Sequence, residues 1–282
     1  MPIVWDAIKS LVANDGLERS SHLAFMMLLA FFPFLIFLSA LAGSMGDAAM
    51  GEHLVQFMVQ SAPNDIAGTV GRASHEIFAT RRNNVLTLSA VLMLWMASNG
   101  IEALRSALNK AYRSTESRPF WHRRLQGVLF LVIGSFAAIL FSYAIILEPL
   151  VRTILAELTK ATPVEGVLSQ TLRYAAASGV IFLALLLMHR WLPNTGRSVR
   201  HILPGVSITV IILLCVANLL SLYLRAGGGF GLIYGSLGDI VITLVFLYLN
   251  AITFIFGAEI NSAIWRAREK SSREMELPGR FN

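Results

Sequence analysis

Ser98, Asn99, Glu102, Arg105, Asn109 and Tyr112 form the first polar group in this chain able to bind or move charge. At about 100° per residue, all of these except Asn99 share a sector of about 80° on a helix. Lipid would leave such a stripe unsatisfied, so it must face protein, water or a polar ligand. Glu102 and Arg105 are spaced to pair, and the arginine fork suits a phosphate or carboxylate. Two readings fit equally. The stripe is the polar floor of a cavity that takes an anionic headgroup or substrate, or it is a helix end emerging into the cytoplasm.

A second set lies near the end of the chain. Asp239, Asn250 and Asn261 recur every eleven residues. Eleven residues advance a helix about 20° past three turns, so on one continuous helix they form a stripe with steps of about 16 Å. Asn250 sits in the middle of an apolar run, where an interhelical hydrogen bond and a ligand-lining role both suit it. Glu259 falls on the opposite side of the helix, placed to pair with a basic loop residue. Pro33, Gly228 and Gly231 are hinge candidates, Pro33 because it removes a backbone donor within an apolar run and the glycines because their backbone is permissive. No Gly-Lys-Ser/Thr follows the glycine cluster, which excludes a nucleotide-binding loop.

Signals for covalent chemistry are missing. The chain has 6 histidines, and none stands in an H-x-H or H-E-x-x-H pattern. There is no G-x-S-x-G elbow. The expectation is therefore no catalytic residue, no metal, no cofactor and no enzyme.

The elements that position these residues follow from hydropathy. Of 282 residues, 55% are hydrophobic and 14% charged, and the mean hydropathy is +0.64. Soluble domains carry about a quarter charged residues. Five uncharged or nearly uncharged runs are long enough to cross about 30 Å of hydrocarbon: Leu23–Gly43, Leu125–Leu147, Tyr174–Leu192, Ile202–Leu224 and Ile240–Ala258. The run ending in His189 and Arg190 is the least clean, and those side chains can snorkel. A sixth span is Leu86–Leu104, whose last turn carries Asn99 and Glu102. The expected fold is all-α: a polytopic membrane protein with six transmembrane helices and amphipathic helices in the outer loops, over 48–84 and 148–172.

Charge sets the orientation. With six spans, one side holds 16 of the 23 basic residues and the other holds 7, from Arg72 to Arg225. The excess belongs in the cytoplasm, which places both termini there. The net charge of +6 is thus loop bias and not a nucleic-acid footprint. The only cysteine, Cys215, precludes an intrachain disulfide. Residues 1–21 read as a cytoplasmic interfacial helix with Val4, Trp5, Ile8, Leu11 and Val12 on one face. Residues 22–267 read as the transmembrane domain, and 268–282 as a disordered cytoplasmic tail.

The chain resembles the YihY/virulence factor BrkB family of bacterial inner-membrane proteins. The resemblance is carried by His22-Leu23-Ala24-Phe25 leading to Phe32-Pro33, and by Asn99-Gly100-Ile101-Glu102-Ala103-Leu104 continuing to Tyr112. It is carried further by Tyr234-Gly235-Ser236-Leu237 and by Gly257-Ala258-Glu259-Ile260-Asn261. It extends over nearly the whole chain, from about Val4 to Ala267. It implies six helices, a role in envelope integrity and serum resistance, and movement of a lipid or lipid precursor. Some members carry a ribonuclease label, against which the missing metal-ligand patterns argue. The expected function is movement, or assisted movement, of a lipid or lipid-linked envelope component. A secondary transporter of a small polar solute and a non-transporting scaffold are the alternatives. The expected partners are membrane lipids and envelope proteins, with no nucleic acid. The sequence carries no signal of oligomeric state.

Overall fold

The computed structural model describes residues 2–44, 83–136, 167–225 and 237–276, all of them in helices or the short turns between them. The helices are α1 (Pro2–Ala13), α2 (Gly16–Ser44), α3 (Asn83–Ala111), α4 (120–136), α5 (Val167–Trp191), α6 (Val199–Arg225) and α7 (Leu237–Glu276). Among the described residues there is no strand. Each of the six apolar runs falls on one helix, from α2 to α7, the run Leu125–Leu147 as far as 136. The outer segments expected to be amphipathic helices lie almost wholly outside the described residues, as do Gly228 and Gly231.

Local chemistry sets the helix ends. Pro2 opens α1, where its missing N–H is not needed. Asp15 then turns the chain with φ 57°, and Gly16 starts α2 so close to Leu11 that a β-carbon there would collide with the Leu11 side chain and carbonyl. α2 runs unbroken through Pro33. α3 closes on Arg113, which takes φ 56° while Arg113 N–H bonds the Lys110 carbonyl at 3.0 Å and Ser114 N–H bonds the Asn109 carbonyl at 2.8 Å. These two bonds satisfy carbonyls that the helix end leaves open. α5 stops just before Pro193, which disfavours helix in the residue ahead of it. α7 continues to Glu276, so residues 268–276, read from sequence as an irregular tail, are helical. Their Arg, Glu and Lys are good helix formers.

The chain divides into two compact units. One gathers residues 1–28, 102–123 and 181–282, and the other gathers 29–101 and 124–180. In the first, α7 packs on α6 and on α1. The α1 contact is apolar, with Ala7 buried against Ile260 and Ala263. At the α6 contact two glycines meet. A β-carbon on Gly205 would overlap the Gly257 carbonyl and the Asn261 amide, and one on Gly257 would overlap the Thr209 hydroxyl. Small residues of this kind let membrane helices approach backbone to backbone. Pro204, inside α6, takes no part in the ladder as a donor, and the adjacent Gly205 N–H is bonded by the Asn261 Oδ1 at 2.7 Å.

Apolar side chains also point outward. α6 over Val199–Tyr223 and α7 over Ile240–Ser272 are long and apolar enough to cross a membrane, with mean hydropathies of 2.4 and 2.3. On α4, Trp121, Leu125, Leu129 and Ile133 recur every fourth residue and are all exposed, Trp121 at 76% and Leu125 at 71%. Each large side chain left in water costs about 1.5–3 kcal/mol relative to burial. A stripe of four suits hydrocarbon as its solvent.

The glycine crossing yields a prediction. Gly205→Ala and Gly257→Ala should each destabilise the protein by about 1–3 kcal/mol through overpacking. Gly134→Ala and Gly179→Ala, where no atom lies within 4 Å of the added carbon, should be neutral or stabilising. Thermal unfolding of the four variants in detergent provides the comparison, and equal behaviour of the two pairs would contradict the close approach.

Candidate functional site

The polar stripe on α3 turns toward protein. In the second unit, Ser98 is buried, and Arg124 Nη1 donates to Ser98 Oγ and to Asn99 Oδ1, each at 2.7 Å. The same guanidinium lies over the Trp95 ring at 4.1 Å, a cation–π contact that holds it flat.

In the first unit the stripe continues with Arg105, which is 1% exposed. Its Nη1 pairs with Glu102 Oε2, and its Nη2 donates to the Arg123 carbonyl at 3.1 Å. The second Glu102 oxygen accepts from Arg123 Nη1 at 2.7 Å. One carboxylate therefore holds two guanidinium groups, and Glu102 and Arg123, each about a third exposed, are the reachable members of the trio while Arg105 is buried.

One turn on, Asn109 organises the loop that follows. Its Nδ2 donates to Glu116 Oε2 at 2.9 Å, and its Oδ1 accepts from Ser114 Oγ at 3.0 Å and from the Asn194 N–H at 2.8 Å. Arg118 grips Glu116 through Nε at 2.7 Å and Nη2 at 2.9 Å, and Nη2 also donates to the Leu192 carbonyl at 2.6 Å. The loop after α3 is thereby tied to the loop after α5. Burial raises the Glu116 carboxyl, but the hydrogen bonds from Arg118 and Asn109 outweigh it and hold the group down at about 2.

Tyr112 ends the stripe. Its hydroxyl accepts from Asn261 Nδ2 at 3.1 Å, and Asn261 Oδ1 holds the Gly205 N–H. Asn261 therefore joins the end of α3 to α6 with every polar atom of its amide group engaged inside the protein. Burial pushes the Tyr112 phenol upward.

Of the α7 set, Asn250, Glu259 and Asn261 each make a hydrogen bond inside the protein. Asp239 lies in the first turn of α7, and its side chain is outside those described. Asn250 Nδ2 donates to the Phe246 carbonyl of its own helix at 2.6 Å, where an interhelical bond was expected. In an apolar run the nearest acceptor is the carbonyl one turn back. Glu259 is wholly buried, and its Oε1 accepts from Asn14 Nδ2 at 2.7 Å, an amide at the α1–α2 corner in place of the expected basic residue. Its Oε2 has no hydrogen-bond partner among the described residues. Close by in sequence, Arg266 donates to Ser262 Oγ at 3.0 Å and to Ser10 Oγ at 3.1 Å.

Sequence reasoning missed Glu116, Arg118, Arg123, Arg124 and Asn194. Their partners lie across loops, so periodicity could not find them. The one usable signal was the concentration of arginines between Arg105 and Arg124. No group of three His, Cys, Asp or Glu suited to a metal occurs among the described residues.

The family model for virulence factor BrkB matches residues 7–278. The chain belongs to the virulence factor BrkB family. Among relatives of this BrkB-family chain is the ribonuclease-like protein YfkH of Bacillus subtilis, 25% identical over 256 residues, which cover 91% of this chain and 92% of that protein. A UPF0761 membrane protein of Alteromonas mediterranea is 22% identical over 265 residues, covering 93% and 87%. A UPF0761 membrane protein of Pseudomonas aeruginosa is 25% identical over 225 residues, covering 78% of this chain and 53% of that one, so the matched part is about half of that relative. No solved structure matches the chain. The BrkB family and the outward apolar faces agree that this is a helical membrane protein.

The Glu116 cluster predicts a pH dependence. Its carboxyl is depressed in the folded protein from an ordinary 4.5 to about 2. Its contribution is therefore complete above the unfolded value and is lost as pH falls through that window. Wild type should be more stable than Glu116→Gln at pH 7, and the gap should shrink between about pH 4.5 and pH 2. A pH series of melting temperatures for the two proteins tests this, and a gap that stays constant would contradict it.

Proposed function

We propose that this BrkB-family protein spans the bacterial inner membrane six times, with both termini in the cytoplasm. In this reading it moves, or assists the movement of, a lipid or lipid-linked envelope component, and it does no covalent chemistry. The observation that carries the reading is on α4, where arginines and aromatics stand at the head of an exposed apolar stripe. Phe120, Trp121, Arg123 and Arg124 are followed by Leu125, Leu129 and Ile133. Aromatic rings and basic side chains mark the headgroup level of a bilayer, and apolar side chains below them meet acyl chains.

The Glu102 trio gives the lipid reading a mechanism. Arg105 and Arg123 share one carboxylate that is about a third exposed. A headgroup phosphate arriving at this level competes with Glu102 for the same forks, since carboxylate and phosphate present matching oxygen pairs. Exchange of one anion for the other lets the headgroup advance without stranding a buried arginine, a state that costs several kcal/mol. The basic excess on one side of the chain supports the orientation. The ribonuclease-like name stays with the Bacillus relative in this reading, because the sequence lacks paired-histidine metal-ligand motifs.

A second reading has one observation in its favour. The buried Glu259 keeps one oxygen without a hydrogen-bond partner among the described residues, which suits a proton-coupled transporter of a small solute.

Two experiments separate these. In proteoliposomes carrying a labelled anionic lipid, Glu102→Gln and Arg105→Ala should each lower transbilayer movement about tenfold, about 1.4 kcal/mol in a barrier. Unchanged movement in both variants would remove the lipid-exchange reading. Under an imposed pH gradient, solute uptake abolished by Glu259→Gln but kept by Glu102→Gln would select the transporter instead.

A further inference from the structure

The first unit contains a cleft that the proposed function does not use. Its volume is about 440 Å³, and its walls include Tyr112, Ser114, Thr195, Arg197, His201 and Trp265. Among the described residues no carboxylate lines it. The size suits a small polar ligand, and the charge of the walls is positive.

Arg197 is held in place from two sides. Its guanidinium lies over the Tyr112 ring at 4.9 Å and over the Trp265 ring at 5.3 Å. Its Nη2 donates to the Tyr112 carbonyl at 3.4 Å, a long bond, and its Nη1 has no hydrogen-bond acceptor among the described residues. A guanidinium that aromatic faces orient, and that the protein leaves short of acceptors, is prepared for an oxyanion.

The rest of the cleft adds donors. Gly196 takes φ 60° and turns the chain into Arg197. A β-carbon there meets only open space, so the backbone angle is what selects glycine. Immediately after, α6 begins at Val199, and a helix start attracts negative charge. Ser198 Oγ is 2.7 Å from His201 Nδ1, and the imidazole packs edge-on to Trp265 with centroids 4.8 Å apart. A tetrahedral oxyanion meets donors arriving from several directions better than a flat carboxylate does.

We propose that this cleft binds the phosphate group of a phosphate-bearing ligand through Arg197 and the first turn of α6. Two sources carry that chemistry, a soluble phosphate ester and the headgroup of an anionic lipid. The proposal is independent of lipid movement, because occupancy of the cleft is read without any transport.

The test uses the full chain in maltoside micelles, which contain no phosphate. One arm titrates glycerol 3-phosphate by calorimetry. The other adds phosphatidic acid or, as a neutral counterpart, diacylglycerol, and counts retained lipid by native mass spectrometry. Binding of glycerol 3-phosphate identifies a soluble ester as sufficient, and retention of phosphatidic acid alone identifies the lipid headgroup. In either case Arg197→Ala and Thr195→Glu should weaken binding at least about tenfold. Arg200→Ala, an exposed neighbour outside the walls, should change it less than about twofold. Thr195→Glu leaves the Arg197 stacking intact, so it decides the matter if Arg197→Ala fails to fold. No phosphate-dependent binding in either arm, or an equal loss in Arg200→Ala, overturns the proposal.

Discussion

The close crossing of α6 and α7 is the constraint on which the first unit depends. Gly205 and Gly257 bring two backbones into contact where no β-carbon fits. That proximity lets Asn261 reach the Gly205 N–H beside Pro204. In a hydrocarbon setting a stray backbone donor costs several kcal/mol, so the asparagine does more than decorate the interface. It also orients Tyr112, whose ring forms one face of the Arg197 stack. Packing, backbone satisfaction and placement of the arginine are thus one linked arrangement.

The same segment of α7 anchors the N-terminal helices. Ala7 against Ile260 and Ala263 lets α1 lie close, while Asn14 caps the approach by bonding Glu259. A carboxylate wholly removed from solvent is expensive unless paired, and here an amide partner meets only one of its oxygens. The outer face of α1 keeps Val4, Trp5, Ile8 and Val12 exposed. The helix is therefore two-sided, with Ala7, Ser10 and Leu11 inward and Val4, Trp5, Ile8 and Val12 outward, so Leu11 leaves the outer face on which its spacing places it.

Much of this architecture was legible in the sequence, and for a definite reason. Apolar runs such as Ile202–Leu224 report a helix because hydrocarbon forces the backbone to satisfy itself. The stripe from Ser98 to Tyr112 was legible because helical periodicity is local, and its polar members do turn toward protein. What could not be read were partners separated by long stretches of chain. Arg118 gripping the Leu192 carbonyl and Asn194 gripping Asn109 depend on how loops meet. Asn250 shows the opposite failure. Its mid-run position drew a long-range expectation, while the side chain settles on Phe246 one turn away. Asn261, eleven residues on, looks the same in sequence and behaves differently because the Gly205 N–H and the Tyr112 hydroxyl meet it.

The 40 residues of α7 make a rod about 60 Å long, twice the thickness of a bilayer's hydrocarbon core. Its grip on α6, α1 and Tyr112 falls between Gly257 and Ala263, near the middle. A rod held at its centre is a lever. A tilt of about 10° in the half that ends near Leu237 swings the half that ends near Glu276 through about 5 Å. Small rearrangements at one end of the helix are thereby passed to the other at about equal size and in the opposite sense, with the glycine crossing as the fulcrum.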